Sequence, residues 1–277
     1  MSGERIEMRK ILTYSIHEIE PYINWLYFFH AWGLSGKPLA EQEKLQKEAC
    51  EMLEKMDSVC RVYALFALFD ANSDGDDIIV GDTRIPMLRQ QKPTKEGQPN
   101  LCLADFLRPA SKGKADRIGL FATSTDHRSE TMYADDPFRR MLVQTLADRL
   151  AEAAAERMHE EVRRHYWGYA PDEHLSIEEL HMEKFQGIRP AVGYPSLPDT
   201  SINFVIDQLI GMKDIGIRLT ESGMMKPHAS VSGLMMAHPQ ARYFDIGKIG
   251  EDQLCDYARR RGVPVVLMRR FLLMHNS

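Results

Sequence analysis

The chain has 277 residues and a mass of 31.8 kDa, with 44% hydrophobic and 27% charged residues, enough to bury one substantial core. A formal charge of −5 and a pI near 6.1 argue against the basic face of a nucleic-acid binder, and the longest apolar runs, VYALFALF and VPVVLM, fall far short of the roughly 20 residues of a membrane span. The charged start MSGERIEMRK is no secretory signal, and Cys50, Cys60, Cys102 and Cys255 lack CxxC spacing, so a cytoplasmic protein with reduced thiols and no zinc site is expected.

In chain order, six aromatic rings (Tyr22, Trp25, Tyr27, Phe28, Phe29, Trp32) fall within eleven positions, a density that suits core packing. Apolar residues at Leu45, Ala49, Met52, Leu53 and Met56 predict a surface helix over 39–56. VYALFALF, NSDGDD and IIV then read as a hairpin about an Asp-Gly turn. Asp70, Asn72, Asp74 and Gly75 imitate the first half of a calcium loop, but the twelfth position is Gly81 and not glutamate. LCLADFL (101–107) and RIGLFATS (117–124) read as two further strands.

From Pro137 to Trp167, apolar residues at Leu142, Leu146, Leu150, Ala154, Met158 and Val162 predict a long helix. Its HEEVR segment (159–163) has Arg163 where a zinc protease needs histidine. Asp148 and Glu152 lie one turn apart on one face, which on the residues alone is a solvated face; Glu156, Glu160, Arg163 and Arg164 suit surface ion pairs. A short helix is predicted near 177–185, a helix over 202–212, strands over 217–220, 228–239 and 242–249, and two terminal helical pieces split by Gly262 and Pro264. Helices and strands in blocks, without βαβ alternation, indicate an α+β fold with an antiparallel sheet.

No GxGxxG, GxxxxGK[ST] or GxSxG motif is present, and the ten histidines are scattered. What stands out is GIRPAVGYPSLPD (187–199), where Arg189, Tyr194 and Leu197 each precede a proline and are pushed toward extended backbone. Arg189 can fork onto a carboxylate, the glycines admit a ligand to the backbone, and Tyr194 offers a ring and a hydroxyl. That combination suits an amino-acid-like ligand carrying a ring, or else a stiff structural loop.

The motifs INWLYFFHAWGLSGK, CLADFLRP, SKGKADRIGLFATS, LADRLAEAAAERMHEEVR, YWGYAP, GIRPAVGYPSLPD, LTES, ASVSG, HPQARYF and DYARRRG, in this order, resemble the activation domain of cobalamin-dependent methionine synthase from about Tyr22 to Gly262. The resemblance implies a single C-shaped α+β domain over 1–277, with 1–20 as an N-terminal extension, in a free-standing chain. It implies an accessory role without catalytic residues of its own: binding S-adenosylmethionine and supporting reductive methylation of cob(II)alamin on a separate methionine synthase polypeptide, with flavodoxin or a similar reductase supplying the electron. By the family's motif, Arg189 would hold the ligand carboxylate, Ala191 to Gly193 would face the adenine, and Tyr243 and Phe244 would lie near the ligand. Tyr194 would face the corrin, and Glu152 and Asp148 would serve the groove and the cobalamin-facing surface.

Three positions depart from the family pattern. Asn24 stands where an aspartate would pair with the ligand ammonium; Thr200 and Asn203 replace histidine and glutamate, which predicts an altered groove rim; and Lys226 to His228 replace tryptophan-proline-glycine. An interaction module with impaired ligand binding, or a reactivation factor for another corrinoid methyltransferase, are the alternative readings.

Overall fold

The run Val62–Asp74 sets the architecture. In the computed structural model, which describes residues 6–92 and 96–273, it is one long strand whose alternate side chains enter two different cores. Val62, Ala64, Phe66 and Leu68 face one core, while Leu65, Ala67, Phe69 and Ala71 face the other. Side chains of a strand alternate with period two, so a strand covered on both faces reads as an unbroken apolar run.

The elements are β1 (Ile6–Tyr14), α1 (Ile16–Ile19), α2 (Trp25–Ala31), α3 (Leu39–Asp57), β2 (Val62–Asp74), β3 (Asp77–Val80), β4 (Thr83–Pro86) and β5 (Asp116–Thr125), followed by α4 (Pro137–Glu161), α5 (Ile177–His181), α6 (Ile202–Ile210), β6 (Arg218–Leu219), β7 (Met225–Lys226), β8 (Ser230–Met235), α7 (Glu251–Arg261) and α8 (Val265–Leu273). The main sheet is antiparallel in the order β4-β3-β2-β5-β8, and β1 pairs with the first half of β2 on the side where β3 takes the second half. It curls into a half-barrel within a single α+β domain. Helices α3 and α4 cover one face; α6, α7 and α8 cover the other.

The predicted helix over 39–56 forms, and its five predicted apolar positions are the buried ones. The hairpin turns at Gly75 and Asp76, with Asp74 opposite Asp77. The acids of the calcium-like turn are taken by arginines: Arg84 reaches Asp74 and Asp77, and Arg89 reaches Asp76 at 2.7 Å.

Four expectations fail. Residues 101–107 are not a strand but a 3-10 turn over Leu103–Phe106, because the Asp105 carboxylate accepts from the Cys102 N–H and closes the chain locally. Residues 242–249 make no ladder; side-chain anchors hold them, with Gln90 donating to the Asp245 carbonyl at 2.8 Å. The strand at 217–220 shrinks to β6, which pairs only with β7 outside the main sheet. From residue 6 onward the supposed N-terminal extension contributes β1, paired from Ile6 to Tyr14 against β2.

The stiff stretch 187–199 is a strap along the free edge of β8. Ile188 and Met236 exchange backbone bonds at 2.9 and 3.0 Å, Leu234 N–H donates to Pro190 C=O at 3.0 Å, and Val192 N–H donates to Ser232 C=O at 2.8 Å. Pro190 has no N–H, so the pairing is interrupted and yields isolated bridges, and the strap shields a sheet edge without extending it as a regular strand. Gly233 makes this approach possible, since a Cβ there would lie 2.2 Å from the Pro190 oxygen. Gly233→Ala is therefore expected to destabilise the chain by about 1–3 kcal/mol and to loosen the strap, measured by urea unfolding and by amide exchange at Val192 and Leu234.

Candidate functional site

A cleft of about 560 Å³ opens between α4, the start of α2 and the strap. The entry and first turn of α2 supply Tyr22, Asn24 and Tyr27; α4 supplies Arg149, Glu152 and Glu156; the end of α5 and the turn after it supply His181 and Glu183. The strap contributes Arg189, Ala191 and Tyr194, and the irregular segment after β8 contributes Tyr243, Phe244 and Asp245. Helix α4 is held against the sheet by Thr123 and Thr125 of β5, whose hydroxyls donate to the carbonyls of Ala151 and Ala147 at 2.8 and 2.9 Å. The acidic face of the helix is thereby turned to the strap.

Arg189 is the centre of the charge arrangement. Its Nη2 donates to Glu156 Oε2 at 2.9 Å, and its backbone N–H donates to the Tyr243 hydroxyl at 2.9 Å. Burial, the largest single effect, would lower its pKa, but the Glu156 carboxylate together with Tyr243 and Glu152 outweighs it and holds the guanidinium above its ordinary value. Tyr243 is pushed up to about 12, chiefly by burial. The second oxygen of Glu156, Oε1, is buried on the cleft wall and has no hydrogen-bond partner. Such an orphaned acceptor costs free energy unless something donates to it.

Two further acids shape the walls. The Tyr194 hydroxyl donates to Glu152 Oε1 at 2.8 Å, and the charge of Glu152, with burial second, raises the phenol's pKa. Glu183 sits at φ +57°, an uncommon conformation for a side-chain-bearing residue, and burial followed by the charge of Glu156 raises its carboxyl above the usual range. With Asp245, the cleft carries four carboxylates against the guanidiniums of Arg149 and Arg189. A ligand that bears one carboxylate but a net positive charge complements this wall.

Of the residues singled out from the sequence, Asn24, Glu152, Arg189, Ala191, Tyr194, Tyr243 and Phe244 line this one cleft. Gly193 lies at the strap's turn, donating to the Leu197 carbonyl at 2.8 Å and facing an adjoining pocket. Asp148 is one turn before Glu152 and outside the cleft wall; burial raises its carboxyl, opposed by His228, whose Nδ1 lies 3.4 Å from Asp148 Oδ1. The Asn24 side-chain oxygen caps α2 by accepting from Leu26 N–H at 3.2 Å. An aspartate would cap equally well, so only the charge is missing.

Two readings need correction. Thr200 and Asn203 are not on the rim: both are buried, Thr200 bonded to the carbonyls of Ser222 and Phe271, and Asn203 to Gly223 C=O and the Ser232 hydroxyl. Glu156 and Arg163 are not surface ion pairs, since Glu156 faces Arg189 in the cleft and Arg163 is fully buried against Glu173. The four-residue spacing of Asp148, Glu152 and Glu156 carried the signal for Glu156. Glu183 had no such signal. The aromatic cluster is also less buried than expected: Phe28 is fully enclosed, but Tyr27 is 58% exposed at the cleft.

A family model described as "Vitamin B12 dependent methionine synthase, activation domain" matches residues 15–262. A solved structure described as the MetH reactivation domain bound to AdoHcy is similar over 100% of this chain and 93% of that one, at 38% identity and a TM-score of 0.90. Among the described residues no helix is long and apolar enough to cross a membrane.

Two outcomes follow from the buried charges. Glu156→Leu leaves Arg189 unpaired and is expected to cost about 3–5 kcal/mol in urea unfolding. Burial, with Arg163 and Arg189 nearby, holds the His159 imidazole well below its ordinary value of 6.5. Below that pH the unfolded chain takes up a proton that the folded chain refuses, so stability falls as pH drops, by up to about 1.4 kcal/mol per pH unit, and His159→Asn removes this slope.

Proposed function

Because the chain belongs to the family of vitamin B12 dependent methionine synthase activation domains, we propose that its cleft holds S-adenosylmethionine and presents it to a cobalamin-carrying methionine synthase polypeptide. The observation that carries this reading is the pairing of Arg189 with Glu156 beside the unpartnered Glu156 Oε1. Arg189 offers a guanidinium to the carboxylate of an amino acid, and Glu156 Oε1 offers an acceptor to its ammonium. The surplus of acids suits the additional positive charge of a sulfonium. The similar solved structure holds AdoHcy, the demethylated counterpart of this ligand.

S-adenosylmethionine, when bound, supplies a methyl group already activated by its sulfonium, so the work left to this chain is binding and orientation. Arg189 and Glu156 would fix the amino-acid end, with Asn24 and Glu183 beside them. Ala191 and Gly193 would bring the strap backbone against the ring system, and Tyr243 and Phe244 would close the far side. Tyr194, half-exposed at the mouth and tied to Glu152, is in position to meet the corrin of the partner, and Asp148 would engage the partner once His228 releases it. In this scheme flavodoxin or a similar reductase delivers the electron, and the four free thiols support a cytoplasmic setting.

The test is calorimetric titration with S-adenosylmethionine, followed by addition of the chain in trans to an oxidised methionine synthase lacking its own activation domain. Saturable heat and recovery of the methylated form are expected; a wild-type titration without heat overturns the reading. Arg189→Ala and Glu156→Gln are each expected to weaken binding at least about tenfold, through loss of a charge-assisted hydrogen bond. Asn24→Asp, which restores a negative charge while keeping the helix cap, is expected to tighten it about tenfold in the same titration.

A further inference from the structure

We propose that His159 is a positioning residue for Arg189, its imidazole locked into a single tautomer by one-way hydrogen bonds that end on the backbone carbonyl of Gln186. His159 is fully buried on α4, behind the cleft wall. Its Nδ1 lies 3.3 Å from Arg189 Nη1, and its Nε2 lies 3.4 Å from the Tyr169 hydroxyl, which in turn donates to Gln186 C=O at 3.4 Å. A guanidinium only donates and a carbonyl only accepts. Both ends of the chain are therefore fixed: Nδ1 must accept from Arg189, and the proton must sit on Nε2 and point to Tyr169.

The surroundings exclude a cationic imidazole. Arg163, four positions further on in the π-helical turn that follows α4, is fully buried and paired with Glu173 at 2.6 Å. Its guanidinium stacks on Phe185 at 4.3 Å, and His159 meets the same ring edge-on at 5.1 Å. Arg189 approaches from the strap, carrying Glu156 on its other nitrogen and the Tyr243 hydroxyl on its backbone N–H. Among the described residues no carboxylate bonds to His159 itself; Glu156 and Glu173 are engaged by the two arginines. A neutral imidazole thus braces the guanidinium from behind the cleft while Glu156 holds it from the side. Protonation would convert that brace into a third cation and push Arg189 out of line.

The inference rests on the ligand assignment for the cleft, and the test separates the two. Two variants of the full chain are compared with wild type: His159→Asn, whose side-chain oxygen can take the place of Nδ1, and His159→Leu, which fills similar space without an acceptor. Titrated with S-adenosylmethionine at about pH 8, His159→Leu is expected to bind at least about tenfold more weakly, and His159→Asn within about threefold of wild type. Between about pH 8 and about pH 5.5 the wild-type affinity is expected to stay within about threefold, because the folded chain keeps the imidazole neutral, and a tenfold fall that His159→Asn abolishes overturns the neutral brace. Nitrogen NMR of the ligand-free chain, with the His159 signals assigned by their loss in His159→Asn, is expected to show an unprotonated Nδ1 and a protonated Nε2. A protonated Nδ1, or equal loss of affinity in both variants, overturns the role of His159. Wild-type protein that gives no heat overturns the ligand reading on which the positioning depends.

Discussion

The close approach of the strap to β8 governs the rest of the site. Two glycines permit it, for a Cβ at Gly187 would lie 2.2 Å from the Met236 oxygen and one at Gly233 equally close to the Pro190 oxygen. With the backbone held there, Arg189 is bonded on one side to Tyr243 and Glu156 and on the other to His159. The prolines limit the conformations that each preceding residue can take, so Arg189 and Tyr194 lose little further freedom when a ligand arrives. Stiffness in this stretch belongs to the binding surface, and the two motifs GIRPAVGYP and ASVSG are two halves of one contact.

Charge is the second theme, and its placement on α4 is unusual for a helix that packs across a sheet. Arg163 and His159 are buried, and Glu156 and Arg189 are nearly so. Buried ion pairs seldom add net stability, because desolvation offsets their attraction. Their effect here is geometric: each guanidinium has fixed partners, and the only acceptor oxygen among the described buried side chains of the cleft left without one is Glu156 Oε1. The helix also bends its own rules at this end, passing into a π-helical turn over Val162–Tyr166 that lets Trp167 N–H reach Val162 C=O at 2.8 Å. Such turns are commonly found beside functional sites.

The parts of the fold legible in the sequence were those with a strong local period. Helix α3 and helix α4 follow from apolar spacing, and the β2–β3 hairpin follows from two β-rich runs around Asp-Gly. Segments governed by particular side chains were misread. LCLADFL has the apolar content of a strand, but Asp105 closes it into a turn; RYFDIGKI has strand-like composition, yet Tyr243, Asp245 and Ile246 are each tied to a different neighbour. A pattern of residue types does not show which bond a single carboxylate or hydroxyl will make.

For the site, the sequence by itself determined the stiff loop, the residue types on it, the acidic stripe of α4 and the family resemblance, because all of these are written in contiguous motifs. The tertiary structure alone decided that Glu156, and not only Glu152, faces Arg189; that Glu183 and Tyr27 join the wall; that Thr200 and Asn203 belong to the interior; and that His159 stands behind the guanidinium. The physical reason is that a charge's role depends on the partner it meets after burial. Glu156 and Arg189 are 33 positions apart in the chain and 2.9 Å apart in the fold.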